Sequence, residues 1–247
     1  GDSYCSFCQA IQESASNTQA WAVDTWQGDN QAGLYDDEIY TELTAYHDPK
    51  YGQFSTLLRM RFDQALDKFA DHSIDLLHID GLHTYEAVKE DFYSWLPKLS
   101  DQGVVLFHDT TVEAEDYGVD QLWAELSQEY PGFNFTHGNG LGILLVGQNA
   151  PDWLLQWSRA SQADQAMLSE LFAVIGQGIV AKRKLNLYSA ANSELWKRVE
   201  VAENSNQVFL QENSQLWERV NQAESDLAHY VEACDLLKQR FMDAEAM

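Results

Sequence analysis

Two short polar clusters in this sequence follow apolar runs, and both hold groups able to bind a metal or move a proton. Asp80-Gly81-Leu82-His83 closes the run Ile74-Asp75-Leu76-Leu77-His78-Ile79, and His108-Asp109-Thr110 closes Gly103-Val104-Val105-Leu106-Phe107. Carboxylate oxygens suit Mg²⁺ and a neutral imidazole suits proton transfer, so two of each at one place would make a divalent-metal and acid–base site. Taken singly, each acid reads equally well as a helix N-cap. His78 lies inside its run and reads as a core or interface histidine.

A common site requires an architecture that delivers both run ends to one edge. Through residue 147 short apolar runs alternate with amphipathic stretches, the pattern of a parallel sheet wrapped by helices. Tyr4 to Ser14 reads as helix, Gln19–Val23 as a strand ending at Asp24, and Asp36–Tyr46 as a helix in a polar insertion. Phe54–Met60 fits strand or helix. Phe62, Ala65, Leu66 and Phe69 share one helical face, predicting a helix over 62–70. The run 74–80 is a predicted buried strand broken by Gly81, Tyr85–Leu99 a helix, Gly103–Phe107 a second buried strand, and Gly118–Tyr130 a helix. Phe133–Phe135 and Leu141–Val146, joined by His137-Gly138-Asn139-Gly140, read as a terminal hairpin. In an open α/β sheet, ligands bind outside the carboxyl ends of the strands, where Asp80 and Asp109 would stand.

The charge balance narrows the partners. Thirty-nine acids against 15 bases leave a formal charge of −24, and residues 1–150 alone carry 25 acids and 6 bases. That charge opposes phosphate backbones and anionic lipid, which bind through Lys and Arg, so neither nucleic acid nor a membrane surface is an expected partner. With no apolar run long enough to span a bilayer, the expectation is a soluble, cytoplasmic protein. Cys5, Cys8 and Cys234 are too few for a zinc site and read as small buried hydrophobes. Trp21, Trp26, Trp95 and Trp123 read as packing residues.

Beyond Gly147 the pattern changes. Residues 148–181 read as a helical linker, and residues 182–247, free of Pro and Gly, as a long coiled-coil helix. NSELWKRV at 192–199 recurs as NSQLWERV at 213–220, an offset of three heptads. With Leu195 at d, the a positions include Leu185, Asn192, Val199, Asn206, Asn213 and Val220. Buried a-position asparagines pair with their equivalents across parallel chains, which predicts a parallel homodimer, with a single helix folded back on the globular domain as the alternative.

The run SIDLLHIDGLHTYEAVKEDFYSWLPKLSDQGVVLFHDT, with YGVDQLWAEL and HGNGLGILLVG, resembles the class I S-adenosylmethionine-dependent methyltransferases of bacterial glycan and natural-product pathways. The resemblance spans residues 1–147 and implies a Rossmann-like seven-stranded α/β sheet with a terminal antiparallel hairpin. It implies that Gly1-Asp2-Ser3 is the tail of a cofactor-binding turn and that the first strand lies upstream of Gly1, the chain being a fragment or else impaired. Asp24 would hold the ribose hydroxyls and Asp63 would lie near the adenine. Metal-dependent members of this fold place a metal-binding Asp after the fourth strand and a base three residues later, which implies Asp80 and His83. Asp109 carries over as a second ligand of a Mg²⁺-class ion, the next ligand being open between His108 and Thr110. The implied activity is O-methylation of a sugar or other small metabolite. A non-catalytic scaffold with a degenerate domain is the alternative, and a metal-dependent hydrolase a distant third.

Overall fold

The computed structural model describes residues 1–29, 31, 33–201 and 207–245. Its elements run α1 (Asp2–Glu13), β1 (Ala20–Asp24), β2 (Gly28–Asp29), β3 (Gly33–Leu34), α2 (Asp37–Tyr51), β4 (Ser55–Arg59), α3 (Phe62–Ala65), β5 (Ile74–Ile79), α4 (Tyr85–Trp95) and β6 (Leu99–His108). Then follow α5 (Val119–Glu129), β7 (Gly132–Phe135), β8 (Leu141–Leu145), α6 (Asp152–Arg159), α7 (Gln162–Val201) and α8 (Gln207–Glu245). Two compact units result, residues 1–158 and 159–247.

In the first unit, β5 and β6 run parallel, β8 lies antiparallel beside β6, and β7 closes the edge against β8. A separate parallel pair joins β1 to β4. The mixed sheet with a terminal hairpin was legible in the sequence. A single continuous sheet was also expected, whereas among the described residues there are three, β1–β4, the short antiparallel pair β2–β3, and β5–β6–β8–β7. The run 74–80 was expected to be fully buried, but Leu76 is half exposed. Among the described residues β5 is an edge strand, with β6 on one flank and no strand on the other.

Alternation along β6 feeds two cores, since successive side chains of a strand point to opposite faces. Val105 and Phe107 pack with Phe92 of α4 and Leu122 and Leu126 of α5. Val104 and Leu106 face the other way, toward Leu145, Ala150, Leu154 and Phe7. Each such fully buried large side chain contributes roughly 1.5–3 kcal/mol, so the β6 strand end is firmly anchored. The helix expected over 62–70 stops at Ala65 and continues as a 3-10 turn, Leu66–Lys68. The helix from Tyr85 likewise ends at Trp95, where Pro97 cannot donate and a 3-10 turn takes over.

In the second unit the expected single long helix is two, α7 and α8, lying antiparallel. Gly178 approaches Tyr230, and the Arg219 guanidinium donates to the Tyr188 hydroxyl at 2.8 Å, so partners ascend on one helix as they descend on the other. The predicted a/d seam is the buried side. Asn192, Asn213, Leu216, Val220, Ala223 and Leu237 are buried, but against the neighbouring helix of the same chain. Ala202 and Asn206 lie outside the described residues. The stretch expected as a helical linker, residues 148–181, holds α6 and the first half of α7.

Candidate functional site

The carboxyl ends of β5 and β6 bring Asp80, His83, His108 and Asp109 together. One donor atom from each lies within 4.8 Å of the other three. His83 Nε2 stands 3.0 Å from Asp109 Oδ2 and 3.7 Å from Asp80 Oδ1. His108 Nδ1 stands 2.8 Å from Asp109 Oδ1 and 3.4 Å from Asp80 Oδ1. Parallel β5–β6 pairing aligns the strand ends, with Ile79 opposite Phe107, and so sets the two clusters side by side.

Local backbone chemistry aims these groups. Asp109 adopts φ +62°, the left-handed region that Asp tolerates better than most residues. Its amide donates to the Gly140 carbonyl at 3.1 Å, pinning the strained residue to the loop before β8. A side chain on Gly140, itself at φ +92°, would put Cβ 2.4 Å from Thr110 Oγ1. Gly81 is required by close approach: a Cβ there would sit 2.4 Å from the Phe62 ring. Neither acid is a helix cap. Thr84 caps α4, its Oγ1 accepting from the Ala87 amide at 3.4 Å, and Gly118 precedes α5.

His83 is held on three sides. Tyr117 stacks on its ring, with centroids 4.9 Å apart and planes within 11°. Its Nδ1 lies 3.0 Å from Gln31 Oε1, which also accepts the His83 backbone amide at 3.1 Å. Gln31 Nε2 donates to the Asp116 carbonyl at 3.0 Å, so the polar insertion after β1 reaches across to the site. Sequence reasoning missed Gln31 and Tyr117. A neutral glutamine in a polar loop and one tyrosine among eleven carry no marker of chemistry.

The electrostatics are those of mutual pairing. The His83 imidazole, then His108 and His78, hold the Asp80 carboxyl below the ordinary carboxylate range against the opposing effect of burial. Asp80, then Asp109, hold His83 above its ordinary value, again opposed by burial. His78 sits inside β5 as the sequence suggested, and burial pushes its imidazole down.

The expected cofactor residues stand outside this foursome. Gly1 precedes α1 and its carbonyl accepts from Cys5, while Ser3 is exposed in the first turn beside Asp2. Asp24 ends β1 as expected, exposed, with Oδ1 accepting the Trp26 amide at 2.8 Å. Asp63 forms an ion pair with Arg61 at 3.0 Å, which holds its carboxyl below the ordinary value. Trp26 is buried against Tyr40 and serves packing. The Mg²⁺ expectation does not fit the donor set. Mg²⁺ takes oxygen ligands, and two of the four convergent atoms are imidazole nitrogens.

Comparison with known proteins bears on this geometry. Residues 1–110 match a family model described as a methyltransferase domain. An uncharacterized protein of Sinorhizobium fredii is 44% identical over 206 residues, covering 82% of this chain and 22% of that protein. The chain thus spans about a fifth of the length of the curated relative it matches. Among solved structures, a structural-genomics protein of Corynebacterium glutamicum aligns over 53% of this chain and 62% of its own at 15% identity and a TM-score of 0.40. A Staphylococcus aureus protein described as a candidate caffeoyl-CoA O-methyltransferase aligns over 60% and 84%, also at 15% identity and 0.40. At those scores neither likeness fixes a residue correspondence.

Proposed function

We propose that the first unit is an S-adenosylmethionine-dependent methyltransferase acting on a hydroxyl of a sugar or other small metabolite. The observation that carries this reading is the methyltransferase-domain match over residues 1–110, a stretch that contains Asp24, Asp80, His83, His108 and Asp109. Methyl transfer needs a bound sulfonium donor and an acceptor whose proton is leaving. Asp24, exposed at the end of β1, offers a carboxylate to a ribose diol. Gly1, Asp2, Ser3 and Asp63 complete the proposed cofactor-side set.

The acceptor hydroxyl would lie against the Asp80–His83–His108–Asp109 cluster. Bound S-adenosylmethionine would supply an electrophilic methyl on a sulfonium leaving group, which would depart with the bonding pair as S-adenosylhomocysteine while the cluster holds the acceptor oxygen in place. The hydroxyl proton leaves toward the cluster, whose carboxylates and imidazoles stand ready to draw it off. No described helix is long and apolar enough to cross a membrane. A cytoplasmic location and a homodimer belong to the same proposal. Because the a/d seam of α7 and α8 is filled within the chain, such a dimer would use another face, and sedimentation of the full-length polypeptide tests it.

The test is transfer of labelled methyl from S-adenosylmethionine to a panel of hydroxylated metabolites. His83→Ala is expected to lower kcat by about 10²–10⁴ while leaving the KM for cofactor unchanged. Labelled product formed at wild-type rate by His83→Ala would remove the cluster from the reaction. Failure of the wild type to bind cofactor would favour a scaffold.

A further inference from the structure

Three of the convergent residues bring buried polar atoms close together without a hydrogen-bond partner. His83 Nε2, His108 Nδ1 and Asp109 Oδ1 are buried and have no hydrogen-bond partner, although His83 and His108 each stand within 3.0 Å of an Asp109 oxygen. Asp109 is 5% exposed, so water cannot readily take up the unpaired oxygen. Unpaired polar atoms in a buried position are costly, and in native proteins they call for an explanation such as an ion.

The hydrogen bonds of Gln31 specify which nitrogen of His83 faces the cluster as a lone pair. Gln31 Oε1 accepts from the His83 backbone amide, an obligate donor, and Gln31 Nε2 donates to the Asp116 carbonyl, an obligate acceptor. Together these fix the orientation of the amide group. The same oxygen therefore faces His83 Nδ1, which must carry the proton. In the neutral imidazole, Nε2 then turns a lone pair toward two carboxylates. Such a lone pair needs a positive centre between it and the carboxylates, and where the Nε2 proton would otherwise serve, a divalent cation can take its place.

The geometry points to a site for a zinc-class divalent cation, held by Asp80, His83 through Nε2, His108 through Nδ1 and Asp109, with Gln31 as a positioning residue that locks the His83 tautomer. The site deepens the functional reading above and rests on it only for the role of the cation in the reaction. With one donor atom taken from each residue, all four lie within 4.8 Å of one another, compact enough for a single cation to reach every one. Two nitrogens and two carboxylates suit zinc, cobalt or another first-row transition ion rather than Mg²⁺. A ligating histidine whose other ring N–H is held by a carbonyl oxygen is the usual outer arrangement of such sites. His83 is then occupied as a ligand and is not the general base that its spacing from Asp80 implied.

The experiment titrates the metal-stripped full-length polypeptide with Zn²⁺, Co²⁺ and Mg²⁺ by calorimetry, and records the cobalt visible spectrum and histidine ring resonances. One Zn²⁺ or Co²⁺ per chain is expected, with His83 and His108 resonances perturbed and a large excess of Mg²⁺ failing to compete. Gln31→Ala, checked for unchanged circular dichroism, should lower Zn²⁺ affinity about 10–100-fold. Tyr117→Phe, which keeps the stacked ring, should leave it near wild type. Equal competition by Mg²⁺, or zinc binding that leaves both histidines unperturbed, would overturn the site. Unchanged zinc affinity in Gln31→Ala would overturn the tautomer lock. Binding of S-adenosylhomocysteine, measured separately, distinguishes failure of the methyltransferase reading, because metal binding at the cluster does not require it.

Discussion

Asp91 is the acid whose protonation the fold alters most clearly toward the neutral form. It lies on α4 beside the site edge, where a Cβ on Gly81 would come 3.2 Å from its Oδ2. Burial, with Glu90 and Asp63 nearby, pushes its carboxyl from 3.8 up to about 6. The folded state therefore holds this proton more tightly than the unfolded chain between those values. Stability is highest below the unfolded value, falls as pH rises through the window, and is level above it. A shift of about two units corresponds to roughly 3 kcal/mol, and because Asp91 is only half-buried, solvent screening reduces the expected cost to about 1–2 kcal/mol. Asp91→Asn removes the charge but keeps the shape. Urea unfolding of both proteins from pH 4 to pH 8, at micromolar concentration because the sequence pI is near 4.4, reads the difference. The variant should equal wild type at pH 4 and exceed it by about 1–2 kcal/mol at pH 8, and the Asp91 carboxyl resonance should titrate near 6. A pH-independent offset would refute the electrostatic reasoning.

Other perturbations follow from the same structure. Asp24→Ala should weaken S-adenosylhomocysteine binding by about 1.5–3 kcal/mol, and Asp24→Asn by less, measured calorimetrically, whereas wild-type affinity in the alanine variant would assign Asp24 to its turn with Trp26 alone. Asn192 and Asn213 bury Oδ1 atoms without partners in the α7–α8 seam, so Leu at either position should raise stability by about 1–2 kcal/mol in thermal melts followed at 222 nm. Loss of stability would show that these amides are paired in solution. Gly142→Ala would put a Cβ 2.5 Å from the Trp123 ring and should cost about 1–3 kcal/mol by overpacking, a penalty that calorimetric melting would reveal.

The clusters were legible because each polar group follows an apolar run, and β5–β6 pairing then brings their ends together. The heptad register was legible too: the predicted a and d residues of α8 from Asn213 to Phe241 are all buried or half-buried. What occupies that seam was not legible, since periodicity names a face and leaves open whether a second chain or the same chain covers it. Gln31 was out of reach for a related reason. Its role depends on a contact with His83 across 52 positions, set by the insertion's path rather than by local pattern. The early end of α3 and the exposed side of Leu76 likewise reflect tertiary setting, which apolar spacing does not encode.

Direct binding of S-adenosylhomocysteine to the full-length polypeptide, followed by calorimetry in wild type and Asp24→Ala, tests the central claim most immediately. One-to-one binding that weakens in the variant is the predicted result. The absence of any binding heat across several temperatures, with the protein folded by circular dichroism, would contradict a methyltransferase and leave the first unit a scaffold.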